Sequence, residues 1–408
     1  MTGTLGIQWE ALLGSDRALD PYLIWADATG FAAIGGLPSN GTFPFLIEAE
    51  ATALGSKGLA APLEVVSVAP AYLNGAPKTG STFFTAEVPV GSVAALVRER
   101  SILRFQLSAP RSATLPPRGM GHPDRTPTRI GRSAPRGRSA TREVHTVVGI
   151  IDDGCPFAHR NLADRERRTR VCFLWDQGAK LSRPGPWRPV ADLGRGVDVT
   201  GKTLDAYTAT FGRARVYPAL GVDRITGRVR THGTAICHLA AGRRVPMDLN
   251  GRRAAEDDAS DLPIVFVQLP LRTVADTTGG SIGFHVLDAL HYIHARATDL
   301  AKARSGTAAP PRVVVNLSYG SAAGPHDGTS LVERALVSFL QAHDKVSLLV
   351  AAGNSNRDPI HLEFSMPASL HRYIEIAIGP DHDLESYLEI WWPNGVDRSE
   401  ERRVGKEC

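Results

Sequence analysis

A doubly wound α/β domain on a mainly parallel sheet, preceded by a small α+β domain, is the fold class this sequence predicts. Three observations carry that expectation. Between residues 144 and 397, short apolar runs alternate with helical segments. Residues 1–110 show strand and helix patterns of a different, shorter kind. Residues 111–143 are dominated by Pro, Gly, Ser and Arg. Strand–helix alternation implies parallel strands with helices covering both faces, whereas a Pro/Gly/Ser-rich stretch marks a linker.

The first region, 1–110, holds apolar alternation at 63–68 and 83–88, a short helical stretch at 92–98 and a last strand at 102–107. Such a pattern suits a small α+β unit. In the 144–397 region the apolar runs are 147–151, 264–269, 313–317 and 346–351, each short and rich in β-branched residues. Continuous runs of this kind are expected of strands buried on both faces. A helical stripe of Ile282, Val286, Ala289, Leu290, Ile293, Ala297 and Leu300 separates the second run from the third. Before the fourth, Ser330-Leu331-Val332-Glu333 reads as a capping box opening a helix to about 340.

The chain of 408 residues, 43% apolar, can bury a large core. No apolar run reaches the roughly 18–20 residues a membrane helix needs, so no membrane partner is expected. The first residues lack a basic and then apolar leader pattern, so a cytoplasmic location is the expectation. Four cysteines without paired spacing (Cys155, Cys172, Cys237, Cys408) read as free thiols rather than disulfides or a metal site. The formal charge of +4 is a linker property, since residues 111–142 hold eight arginines against the single acid Asp124. No aromatic residue interleaves those arginines. A solvated connector is therefore expected there, not a nucleic-acid surface.

Chemistry-bearing residues fall at the ends of the predicted elements. Asp152 follows the run 147–151, His232 opens His232-Gly233-Thr234-Ala235, and Asn354 closes Val350-Ala351-Ala352-Gly353-Asn354. Val314-Val315-Asn316-Leu317 leads into Ser318, Tyr319 and Gly320. In open α/β sheets, binding and catalytic groups collect at the carboxyl ends of the strands. Each residue also has a bland use: an aspartate after a strand caps turns, and an asparagine there adopts a left-handed turn. His238, His285, His291 and His294 receive the structural reading outright.

In their order, Asp152…His232…Asn354, these blocks resemble the subtilisin-like serine peptidases, over most of 144–379. The resemblance implies a subtilisin-like fold for 144–397 and a serine endopeptidase acting on polypeptide substrates. It implies that Asp152 orients His232, that His232 takes the proton of a serine, and that the Asn354 carboxamide donates to the oxyanion. Ser318, Tyr319 and Gly320 would pair with extended substrate backbone. The segments 366–368 and 373–379 resemble the family's Pro-Ala turn and following strand, and 93–105 resembles the end of its prodomains. The linker 111–143 would then be a place for self-cleavage. No cofactor is expected. Calcium is frequent in the family, yet no acidic loop here has its ligand spacing. Oligomeric state is not readable.

The family's nucleophile block, a Gly-Thr-Ser beyond the oxyanion Asn, is missing. Gly328-Thr329-Ser330 lies before Asn354 and reads as a helix cap, and no later serine sits in that context. Residues 398–408 resemble a translated sequencing adapter and are set aside from the fold. The native protein is expected to continue past Asp397, with an inserted β-rich module starting near the alternating stretch 384–392. The interval from Asp152 to His232 reads as carrying an insertion near the cleft. The competing expectation is a peptide-binding pseudoprotease that keeps the fold without a nucleophile.

Overall fold

The computed structural model describes residues 3–13, 19–34, 36–38, 41–55, 58–73, 79–110, 144–180, 182, 185–222, 231–243, 258–276, 278–305, 310–365, 373–376 and 387–391. The linker 111–143, the Pro-Ala turn at 366–368 and the tail 398–408 lie outside them.

The first part of the chain begins with α1 (Trp9–Leu13) and α2 (Pro21–Ala28), then β1 (Thr42–Glu50) and a two-residue pair, β2 (Leu54–Gly55) and β3 (Gly58–Leu59). β4 (Ser67–Val68), α3 (Pro70–Leu73), β5 (Ser81–Pro89), α4 (Val93–Arg98) and β6 (Ile102–Leu107) complete it. Four of these strands form an antiparallel sheet in the order β4-β5-β1-β6. The alternation at 63–68 yields a strand only at Ser67–Val68. Leu63 and Val66 are buried from turns instead, their N–H groups donating to Ala60 and Leu63 carbonyls at 2.9 Å. Burial of apolar side chains was the true content of that pattern, and extended backbone was not.

The second part builds a seven-stranded sheet from β7 (Thr146–Asp152), β8 (Val171–Asp176), β9 (Arg188–Pro189), β10 (Val197–Thr200), β11 (Ile264–Gln268), β12 (Arg312–Leu317) and β13 (Val346–Val350). Its order is β13-β12-β7-β11-β8-β10-β9. The five strands from β13 to β8 run parallel, and β10 and β9 extend the sheet antiparallel. The protein is therefore a mixed α/β structure with a mostly parallel sheet, as expected. The interval between Asp152 and His232 is not mere insertion: it supplies β8, β9 and β10 together with α5 (Gly201–Phe211) and α6 (Val216–Ala219).

Helices cover both faces of this sheet. On one face α7 (His232–Ala241) packs with α5 and α6 over Val148, Ile150, Leu174, Ile264 and Phe266. On the other lie α9 (Ile282–Ser305) and α10 (Leu331–Ala342), with short α8 (Leu271–Ala275) just after β11. α9 presses close to β7, because a Cβ on Gly149 would stand 2.8 Å from Ile293 Cγ2. The antiparallel sheet packs on the outer side of α9 and α10. A single apolar core thus joins Phe45 and Phe84 of the first part to Val147, Ile293 and Phe339 of the second.

Residues 373–376 are exposed and outside any strand, unlike the strand expected there. The alternating stretch at 384–392 is described at 387–391 and is not a strand either. Tyr387 meets Trp25 edge-on at 5.9 Å, and Glu389 accepts hydrogen bonds from Tyr22 Oη and, at 2.7 Å, from the Gly324 N–H. Its polar positions dock on protein rather than facing solvent.

Candidate active site

The parallel strands deliver their carboxyl ends to one edge of the sheet. Asp152 is the last residue of β7, set opposite Gln268 at the end of β11. Its side chain is fully buried. Across the edge, Thr231 caps α7 by accepting the Thr234 N–H at 3.1 Å, which starts the helix at His232. The His232 Nδ1 lies 3.0 Å from Asp152 Oδ1 and 3.1 Å from Oδ2. The imidazole is about half exposed (49%) while the carboxylate it meets is buried.

Small residues make this approach possible. A Cβ on Gly233 would stand 2.3 Å from the Gly154 carbonyl oxygen, a distance no Cβ accommodates without a shift of the backbone, and 3.0 Å from Asp152 Oδ1. α7 buries Gly233, Cys237 and Ala241 along one stripe against the sheet. The Gly233 N–H donates to Asp153 Oδ1 at 2.7 Å, and the Asp153 N–H to Asp152 Oδ1 at 2.8 Å.

Burial pushes the Asp152 carboxyl up to about 7, against the hydrogen bonds from the Asp153 N–H and His232, which favour the anion. Donor atoms of Asp152, Asp153 and His232 lie within 4.8 Å of one another, a spacing that could hold a metal ion. Here those atoms are already engaged with each other and with backbone N–H groups.

The next strand end adds Tyr319. Its ring meets the His232 ring edge-on, centroids 5.4 Å apart and planes at 68°. Burial, with the charges of Asp153 and Asp152, raises the Tyr319 phenol and keeps it neutral. The Ser318 Oγ is engaged by the Asn316 carboxamide, at 2.9 and 3.1 Å. Gly320 is exposed beside Ala351, whose carbonyl oxygen would be an ordinary 3.6 Å from a Cβ there. Asn354 lies on the exposed stretch after β13, following Gly353 at a φ of 87°. β13 is parallel to β12, so Asn354 belongs to the same sheet edge, but the contacts joining Asp152, His232 and Tyr319 do not include it.

Ser330 is committed elsewhere. Its Oγ accepts the Glu333 N–H at 3.2 Å and donates to Glu333 Oε2 at 2.6 Å, a complete capping box at the start of α10. The histidines read as structural are packed in the helices. Burial drives His285 and His291 down to about 3 and His294 to about 4, which keeps all three neutral. Asp153 is the residue of this site that sequence reasoning passed over, although it adjoins Asp152 in the same block. The described cysteines, Cys155, Cys172 and Cys237, are free. No described helix is long and apolar enough to cross a membrane.

No protein-family model matches the chain, and no curated protein matches it. Among solved structures, the chain is similar to the CspB protease of Clostridium perfringens at 19% identity and a TM-score of 0.35. The match covers 52% of this chain and 37% of that one, so the chain spans well under half of that protein's length. At that identity and TM-score, the likeness decides nothing about activity.

Proposed function

We propose that this chain carries the Asp–His half of a serine peptidase site of the subtilisin type, with polypeptides as substrates and the nucleophile serine not among its residues. The observation that supports the reading most is the pairing of a buried aspartate at a parallel-strand end with the Nδ1 of an exposed histidine at a helix start, 3.0 Å apart. A carboxylate accepting the Nδ1–H fixes the tautomer in which Nε2 holds a free lone pair. That nitrogen would take the proton of a serine hydroxyl as it attacks a peptide carbonyl, and return it to the leaving amine. Asn354, at the same sheet edge, would donate its carboxamide N–H to the oxyanion, and the 318–320 segment would pair with the substrate backbone. The antiparallel unit resting on α9 and α10 would act as a prodomain, with the 111–143 linker as the cleavage segment.

The test begins with the gene. Sequencing through the codon for Asp397 and onward is expected to find a frame reaching Gly-Thr-Ser before a small-residue helix. The extended protein should then be labelled by a fluorophosphonate and hydrolyse a casein substrate, and both properties should vanish in H232A. The 408-residue chain should show neither. A frame that lacks that serine while the chain still binds extended peptides would move the reading to a peptide-binding pseudoprotease. Edman sequencing of the active form should place its new N-terminus within 111–143, and an intact Met1 would remove the self-cleavage idea.

A further inference from the structure

The two glycines and two aspartates around His232 make more contacts than a proton relay requires. The turn 152–154 and the first turn of α7 meet at three points. The imidazole rests on Asp152, the Gly233 N–H on Asp153 Oδ1, and the bare Cα of Gly233 against the Gly154 carbonyl. The first N–H groups of a helix have no acceptor within the helix. In α7 the Thr234 N–H is met by Thr231, within the cap itself. The Gly233 N–H is met from outside, by a side chain on the β7 strand end. A carboxylate at this place also suits the positive end of the helix dipole.

Cys237 and Ala241 fix the body of α7 on the sheet, but a single contact between imidazole and Asp152 would leave its first turn free to shift about that bond. With a second hydrogen bond one residue along, and a steric stop at Gly154, the helix start has one placement relative to β7. We infer that Asp153 is a positioning residue: by holding the Gly233 N–H, it sets the His232 Nδ1 at hydrogen-bond distance from Asp152. This rests on reading Asp152 and His232 as the catalytic pair. Its role would be exerted through α7, without contact with substrate.

The test uses the full chain with 15N-labelled histidine, reading the far-downfield Nδ1–H proton of His232, assigned by its absence in H232Q. D153A should broaden or abolish that resonance while the circular dichroism of the fold persists. D153N, whose amide oxygen can still accept the Gly233 N–H, should restore it. D153E keeps the charge but moves the acceptor by one methylene, and should weaken the resonance. It carries the test if D153A does not fold. An undiminished resonance in D153A, or in D153E, would overturn the positioning role. Absence of the resonance from the unsubstituted chain would instead remove the Asp152–His232 pair itself, and with it the proposed function.

Discussion

At Asp152 two effects pull the same carboxyl in opposite directions: burial resists the charge, and hydrogen bonds from the Asp153 N–H and the His232 Nδ1 invite it. Burial prevails, so the folded value, about 7, stands above the ordinary 3.8. A carboxyl raised in the folded state adds stability that is full below its unfolded value and is lost as pH rises through its folded one. Wild-type stability relative to D152N, measured by urea unfolding, should therefore decline between pH 3.8 and about 7. A flat difference would mean that Asp152 ionises freely. At Gly233 the matter is steric. G233A should cost about 1–3 kcal/mol by overpacking and should also remove the downfield His232 proton. His232 was legible in the sequence because a glycine and small residues follow it. Asp153 was not, because its partner is a backbone N–H eighty positions away, as the spacing of Asp153 and Gly233 shows.

Among the elements, strands and helices with undiluted signals were readable to within a residue or two. β7, β11, β12 and β13 carry β-branched runs, and α9 carries a clear stripe. The capping box at Ser330 is a local device, settled by four consecutive residues. S330A should lower stability by about 1 kcal/mol and leave the His232 resonance untouched, since the cap serves α10 alone. β8 was missed because its short apolar run holds a single β-branched residue, Val171, and ends in Asp176, although it is an inner strand of the sheet. The turns at Leu63 and Val66 failed in the opposite sense, with apolar spacing but no partner strand. Among the described residues β13 ends the sheet on one side, and Leu349 and Val350 are 55% and 53% exposed. Unpaired edges of this kind invite association. L349K should raise the monomer fraction in size-exclusion chromatography of the concentrated chain.

Over the whole molecule, the two parts are joined by a buried polar network in the shared core. Asp288 of α9 accepts hydrogen bonds from Tyr72 Oη at 2.5 Å and Thr85 Oγ1 at 2.6 Å, and pairs with Arg195 at 2.7 Å. Burial raises both the Asp288 carboxyl and the Tyr72 phenol. D288A would leave the Arg195 charge without its partner beneath the antiparallel sheet. It should cost about 3–5 kcal/mol and expose residues 1–110 to limited proteolysis before the parallel sheet unfolds. An unchanged digestion pattern would show that the Asp288 network is not what holds the first part in place.

Local pattern determined the strand and helix types, the helix cap at Ser330 and the candidacy of Asp152 and His232, because each depends on residues within a turn or a strand of one another. Tertiary structure alone decided that residues before 111 share a core with α9 and α10, and that the 153–231 interval completes the sheet. It also decided that Tyr319 and Asp153 close around the histidine. Those arrangements depend on which surfaces meet across eighty or more residues, and one-dimensional periodicity holds no record of the partner.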